Sequence, residues 1–307
     1  MRSISGTCAL ALAAAWASGA QAQQQAQGFA VERLYTSAPG AGWFVMDDLR
    51  MQGGLGGAVS IALGYARRPL EVAGRLPVVS DQAFAEAALA VTYDRFRLSL
   101  IMTGPLAVSG SSGQVGAYQF TAPSAGLDQN PDTIADPRIG FEARILGEAA
   151  GAFRLGLGAQ LALPSGLTAD YLTDGEARAM ARLLFAGDHG PFSWAGQLGI
   201  HLRGRDDGPV PDGPRGSEVL FGFAGGARVP LGGNVLVVGP EIFGETALRW
   251  LLGSGTTGFE ALLDARLEGT RSDTAGYRFK LGAGAGLHPR FGVPAFRLVA
   301  AFELFSR

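Results

Sequence analysis

The chain has 307 residues, 47 of them glycine, with 47% hydrophobic and 17% charged residues and a formal net charge of −2. That apolar content excludes a disordered chain, and a near-neutral balance without any basic block excludes nucleic acid as a partner. Beyond the extreme N-terminus there is no run of about 18 apolar residues, so a membrane-spanning helix is excluded too.

Residues 1–22 read as a secretory leader. Arg2 is its positive start, Cys8–Trp16 its short apolar core, and Ala20-Gln21-Ala22 a small-x-small cleavage site. Cys8, the single cysteine, would leave with the leader, so the mature chain is expected to hold no disulfide. Residues 23–54 follow as an N-terminal periplasmic segment or plug. Within it, Trp43-Phe44-Val45-Met46 ahead of Asp47-Asp48 could equally form an edge strand or open the first spanning strand.

From residue 55 to residue 305 the chain alternates. Side chains of a strand point to opposite faces in turn, and the stretch 137–163 shows the unit most plainly. Ile139, Phe141, Ala143 and Ile145 lie on one parity, with Arg138, Glu142 and Arg144 on the other; after Glu148–Ala150 the pattern resumes with Leu155, Leu157 and Leu161 against Arg154 and Gln160. About twelve such strands are predicted: 55–66, 84–93, 96–103, the two arms of 137–163, 177–187, 192–203, 217–229, 234–245, 258–269, 276–288 and 294–305. Most approach the roughly 9–11 residues that a tilted strand needs to cross a bilayer.

Tight turns (Asp94-Arg95, Glu148–Ala150, Asp188–Pro191, Pro230–Gly233, Arg271–Ala275) alternate with longer connections, of which 104–136 is the longest. Short turns on one side and long loops on the other, with an even strand number, are the habit of outer-membrane barrels. The expectation is an all-β, transmembrane, antiparallel up-and-down β-barrel in the outer membrane of a Gram-negative cell, both termini periplasmic. A β-sandwich is the alternative, with its apolar parity facing a second sheet.

In the barrel the polar parity lines the lumen. The charged candidates are Arg138, Glu142, Arg144, Arg154, Arg182, Glu241, Glu245, Glu260, Asp264, Arg266, Arg278 and Lys280, the last being the only lysine. Arg97, Arg178, His201, Arg203, Glu218, Glu268, Arg297 and Glu303 share that parity, while Ser60, Ala62, Gly64, Ala88 and Ala90 are small. Opposite charges could cross-pair and fill the lumen, or line a narrow wet channel.

Several segments resemble the N-terminal barrel region of OmpA-like outer-membrane proteins from myxobacteria and their relatives. They are Gly28-Phe29 to Arg33-Leu34, Leu63-Gly64-Tyr65-Ala66 with Arg68-Pro69-Leu70, Asp136-Pro137-Arg138-Ile139-Gly140 and Leu163-Pro164-Ser165-Gly166. The resemblance implies a barrel in contact with outer-membrane lipid and lipopolysaccharide, delivered by the barrel-insertion machinery. In that family acidic calcium-binding-type repeats and a peptidoglycan-binding domain follow the barrel. Here neither follows, so no peptidoglycan tether is expected.

Catalytic and cofactor signals are weak. His201 and His288 have lumen parity near predicted outer ends, but Ser193 is eight residues from His201, over about 25 Å along a strand at roughly 3.3 Å per residue. Asp206, Asp207 and Asp212, like Asp128, Asp132 and Asp136, could offer hard oxygen ligands but read as solvated loop. Gly282–Gly286 lacks the Lys-Ser/Thr of a phosphate loop, and its glycines read as room for large neighbours. Trp43, Trp194, Trp250 and Tyr277 are girdle candidates. No enzyme, metal or cofactor is expected. The leading expectation is a structural or binding barrel, followed by a pore for small or hydrophobic solutes, and then a hydrolase at the barrel rim.

Overall fold

The computed structural model turns the alternation into a closed barrel. It describes residues 24–204, 216–272, 274–288 and 292–306; the predicted leader and Asp206, Asp207 and Asp212 lie outside the described residues. Among these residues the barrel has twelve strands: β1 (Leu55–Val72), β2 (Leu76–Tyr93), β3 (Phe96–Ser109), β4 (Arg138–Leu146), β5 (Arg154–Ala162), β6 (Arg178–His189), β7 (Phe192–Arg203), β8 (Glu218–Leu231), β9 (Asn234–Ala247), β10 (Thr257–Ser272), β11 (Ala275–His288) and β12 (Phe296–Ser306). Each pairs antiparallel with its chain neighbours. Closure comes from β12 against β1, with Phe296 opposite Arg67 and Phe305 opposite Ala58.

The two parities take the sides a membrane barrel requires. Ile61, Leu89, Leu98, Phe141, Leu157, Leu183, Leu198, Phe223, Ile242, Leu263, Leu281 and Phe302 are exposed on the outside, Leu263 at 63%. Arg97, Glu142, Arg154, Glu241, Glu260 and Arg297 are buried inside, none above 2% exposed. A sandwich would bury the apolar parity, so that alternative is excluded. Trp194 lies against Phe153 and Phe185, with ring centroids at 6.2 and 6.3 Å, in an aromatic cluster beside the short turns.

Two expectations are corrected. The connection expected over 67–83 is strand: β1 and β2 have 18 residues each and meet at a turn carrying positive φ at Ala73 and Gly74. The register shifts between Arg67 and Leu70, and Arg68 has φ of 52°. The irregularity interrupts the alternation over Arg67–Pro69, after which the register recovers and Leu70 and Val72 are buried on the same parity as Ala62 and Ala66. The hairpin continues past the barrel mouth and joins an outer apolar cluster of Leu70, Val72, Val78, Val79, Val108, Phe120 and Tyr171 with Phe29 and Val31 from the N-terminal segment.

The second correction concerns the chain ends. Gln24 and Gln25 pair with Tyr118 and Gln119, within the long connection between β3 and β4, whereas Ser306 ends β12 beside the short turns. Gln24 and Ser306 therefore lie at opposite ends of the barrel. The reason is that residues 26–52 run through the lumen before β1 begins.

Candidate functional site: the plugged lumen

The N-terminal segment carries apolar side chains that need burial and a backbone without a sheet to join. The lumen supplies both needs. Trp43, Phe44, Val45, Met46 and Leu34 cluster with Ala62, Phe84, Ala186, Ala195, Ala224, Val237, Phe243, Leu262 and Val299 of the wall. Small wall residues make the room. A Cβ on Gly282 would stand 2.9 Å from Cε2 of Phe44, and one on Gly222 would meet Met46 at its sulfur, 2.9 Å away. Trp43, expected in the lipid girdle, is 1% exposed and sits in the lumen beneath the Arg266 guanidinium, 4.6 Å from its ring centroid.

The segment's backbone is answered by lining charges. At mid-depth the amides of Phe44, Val45 and Met46 all donate to the Glu241 carboxylate, at 3.1, 2.9 and 2.6 Å. Three successive N–H groups converging on one anion form a backbone nest. The Trp43 carbonyl accepts from Nζ of Lys280 at 3.1 Å and the Ala41 carbonyl from Arg278 at 2.9 Å. Ser37 closes the loop between them, its amide donating to the Phe44 carbonyl and its hydroxyl to the Trp43 carbonyl.

Toward the short turns, Arg97 bonds both oxygens of Asp47 at 2.8 and 2.6 Å. Arg144 donates to the carbonyls of Leu49 and Met51, and Arg154 to that of Asp48 and to Asp188. Arg50 pairs with Asp188. Toward the long connections, Arg297 is held between Glu260 at 2.7 Å and Glu32 at 2.9 Å, and Arg138 reaches Glu86 and Thr36. Arg33 bridges Glu218 and Glu245 at 3.2 Å each.

The remaining predicted residues mostly pair within the wall. Arg182 meets Glu142 at 3.3 Å, Arg278 meets Glu303 and Glu268, and Arg266 meets Glu268 at 3.0 Å. Asp264 is buried with neither oxygen hydrogen-bonded. Cavities of about 50 Å³ lie between segment and wall among the described residues, such as one lined by Tyr35, Glu86 and Arg138 and another by Gly40, Arg50 and Met51. Each has room for a few water molecules at most.

Above the mouth, Asp174 accepts the Ala30 amide at 2.9 Å and a two-pronged bond from Arg203 at 2.7 Å. Burial would raise its carboxyl, but Arg203, Arg178 and the Ala30 amide together hold it below the usual carboxylate value. Burial alone pushes the Tyr171 hydroxyl up to about 12.

Sequence reasoning missed the partners supplied by the segment: Glu32, Arg33, Tyr35, Asp47 and Arg50. It also missed Glu86, hidden among the small residues of β2. The legible signal was Asp47-Asp48 set directly after four apolar residues. Of the loop carboxylates, Asp136 pairs with Arg178 at 3.0 Å while Asp128 and Asp132 are exposed. His288 donates from Nδ1 to the Thr257 carbonyl at 2.7 Å and stacks on Phe259.

No protein-family model and no curated protein matches the sequence. Among solved structures, an outer membrane channel from Pseudomonas putida F1 is similar in fold, with a TM-score of 0.51 and 16% identity, covering 83% of this chain and 96% of that one. The beta domain of the Bordetella autotransporter Brka (TM-score 0.43, 13% identity, 81% and 98% covered) and the NanC porin (0.46, 5%, 81% and 99%) also align. The chain thus has the fold of outer-membrane β-barrel proteins.

Proposed function

We propose that this protein is an outer-membrane channel held shut by its own N-terminal segment, its exposed apolar band in contact with lipid. The observation that carries the reading is the passage of residues 26–52 along the lumen, anchored at every level to charges of the wall. The segment is covalently joined to the barrel only where β1 begins. Ion pairs add little net stability, because desolvating the two charges offsets most of their attraction. The ion-paired part of this hold can be released without a large penalty, and the charged lining it uncovers is already suited to water. Small polar or charged solutes fit such a lumen better than hydrophobic ones.

The second reading is a permanently filled barrel with a structural or binding role and no catalysis. The apolar cluster around Trp43, Phe44 and Met46 favours it, since its exposure to water would be costly. Planar-bilayer recording of the refolded chain separates the two, with heat-modifiable gel migration as the check on the closed barrel. Wild-type protein should be mostly silent, and weakening the Glu241 nest should produce discrete current steps. Folded Glu241→Ala protein that stays silent at every voltage refutes the channel and leaves the structural reading.

A further inference from the structure

We propose that His201, Glu218 and Glu245 form a binding site for a divalent transition-metal ion of the zinc class in the outer half of the barrel wall. The three come from neighbouring strands, His201 on β7 directly opposite Glu218 on β8, and Glu245 on β9. Nδ1 of His201 lies 3.6 Å from Oε2 of Glu218 and 3.8 Å from Oε1 of Glu245, and one ligand atom from each residue falls within 4.8 Å of the others. Tetrahedral zinc, with bonds of about 2.0–2.2 Å, sets its ligand atoms roughly 3.3–3.5 Å apart. A contraction of a few tenths of an ångström toward a shared ion suffices for the two histidine distances.

A second, independent feature points to a ligand. The His201 ring is 0% exposed; its Nδ1 faces only the two carboxylates, beyond hydrogen-bond distance, and its Nε2 has no hydrogen-bond partner among the described residues. Buried imidazoles are rarely left so. Of the Glu245 oxygens, Oε2 is ion-paired with Arg33 at 3.2 Å, while Oε1 has no hydrogen bond and faces His201. The ring is positioned by Tyr35 of the plug, edge-on at 5.3 Å and 80°. Imidazole nitrogen with two carboxylate oxygens is a donor set suited to zinc and its neighbours, and too poor in oxygen for calcium.

Charge agrees with a cation. The buried group around the site holds the carboxylates of Asp136, Asp174, Glu218 and Glu245 against the guanidiniums of Arg33, Arg178 and Arg203, an excess of one negative charge. Oε2 of Glu218 is shared between the metal position, Arg33 of the plug at 3.2 Å and Arg203 of β7 at 3.3 Å, and Arg33 also holds Oε2 of Glu245. A bound ion therefore competes with the Arg33 anchor and loosens the plug around residues 30–35. Nε2 lacks the orienting acceptor that metal-bound histidines usually have, so micromolar affinity is expected. The ligands stand on the barrel wall, and the site does not require the lumen to conduct.

The test uses the full refolded chain in detergent, titrated with Zn²⁺ by calorimetry and with Co²⁺ by visible absorption, which reports nitrogen and oxygen donors in tetrahedral geometry. About one ion should bind per chain, with affinity falling at least about ten-fold in both His201→Ala and Glu245→Gln. Arg33→Gln should bind more tightly. Zinc should speed hydrogen exchange in residues 30–35 of the wild type and not of Glu245→Gln. Heat-modifiable migration of each variant confirms the closed barrel, and the cobalt spectrum of the wild type tests the donors even where a variant fails to fold. Absence of binding in both wild type and Arg33→Gln overturns the proposal, as does binding unchanged by Glu245→Gln and His201→Ala.

Discussion

Replacing Glu241 with alanine attacks the plug at its most concentrated anchor. The carboxylate accepts three consecutive backbone amides at 2.6–3.1 Å while 0% exposed. A hydrogen bond to a charged group contributes about 1.5–3 kcal/mol, and a buried donor left unsatisfied costs about 1–3 kcal/mol. Water entering the space of the lost side chain recovers part of this. We therefore take about 3–5 kcal/mol as the loss of plug docking for the three amides together. At about 1.4 kcal/mol per factor of ten, the docked-to-released ratio should fall by roughly two to three and a half powers of ten. Hydrogen exchange at Phe44, Val45 and Met46 measures it, because exchange there requires the nest to open. Glu241→Gln keeps one acceptor oxygen in the same shape and should show a smaller effect. Unchanged exchange at residues 44–46 in Glu241→Ala, with the barrel still closed, would refute the nest as the anchor.

Gly222→Leu should overpack the contact with Met46, costing about 1–3 kcal/mol of plug docking, with faster exchange in residues 43–49 as the readout and no change in barrel heat-modifiability. Leu263→Arg places a charge near the middle of β10 on the outer face and should cost about 2–4 kcal/mol of folding into lipid vesicles; an unaffected refolding midpoint would contradict a lipid-facing wall. Asp174 has its carboxyl held below the usual value, so its anchor on Ala30 and Arg203 is intact above the unfolded value of about 3.9 and is lost as pH falls through the folded one. Protease cleavage around residues 26–32 should therefore increase below about pH 4, and Asp174→Asn should remove that dependence.

The wall of the barrel was legible in the sequence because strand periodicity is a local property. In 192–203 the alternation of Phe192, Trp194, Leu198 and Ile200 with Gln197, His201 and Arg203 yields β7 over those same residues. The inward parity follows from the same rule, which places Arg154, Glu241 and Lys280 in the lumen whatever their partners. Where locality fails, so did the reading. The irregularity between Arg67 and Leu70 interrupts the alternation of β1, so the hairpin beyond it carries no clear period of 2.

What the lumen holds was decided only by tertiary structure. Residues 26–52 carry no period of 2 or 3.6, because their backbone bonds go to lining side chains and not to a helix or a sheet. Trp43 is an aromatic that a lipid interface or a core would equally accept, and its place depends on the space left by small residues such as Ala195, Ala224 and Gly226, dispersed over two strands. The grouping of His201 with Glu218 and Glu245 depends in the same way on the register of β7, β8 and β9. Composition and alternation alone determined that this chain builds a barrel with a charged interior; the closure of that interior by the chain's own N-terminal segment is a long-range contact that no local pattern encodes.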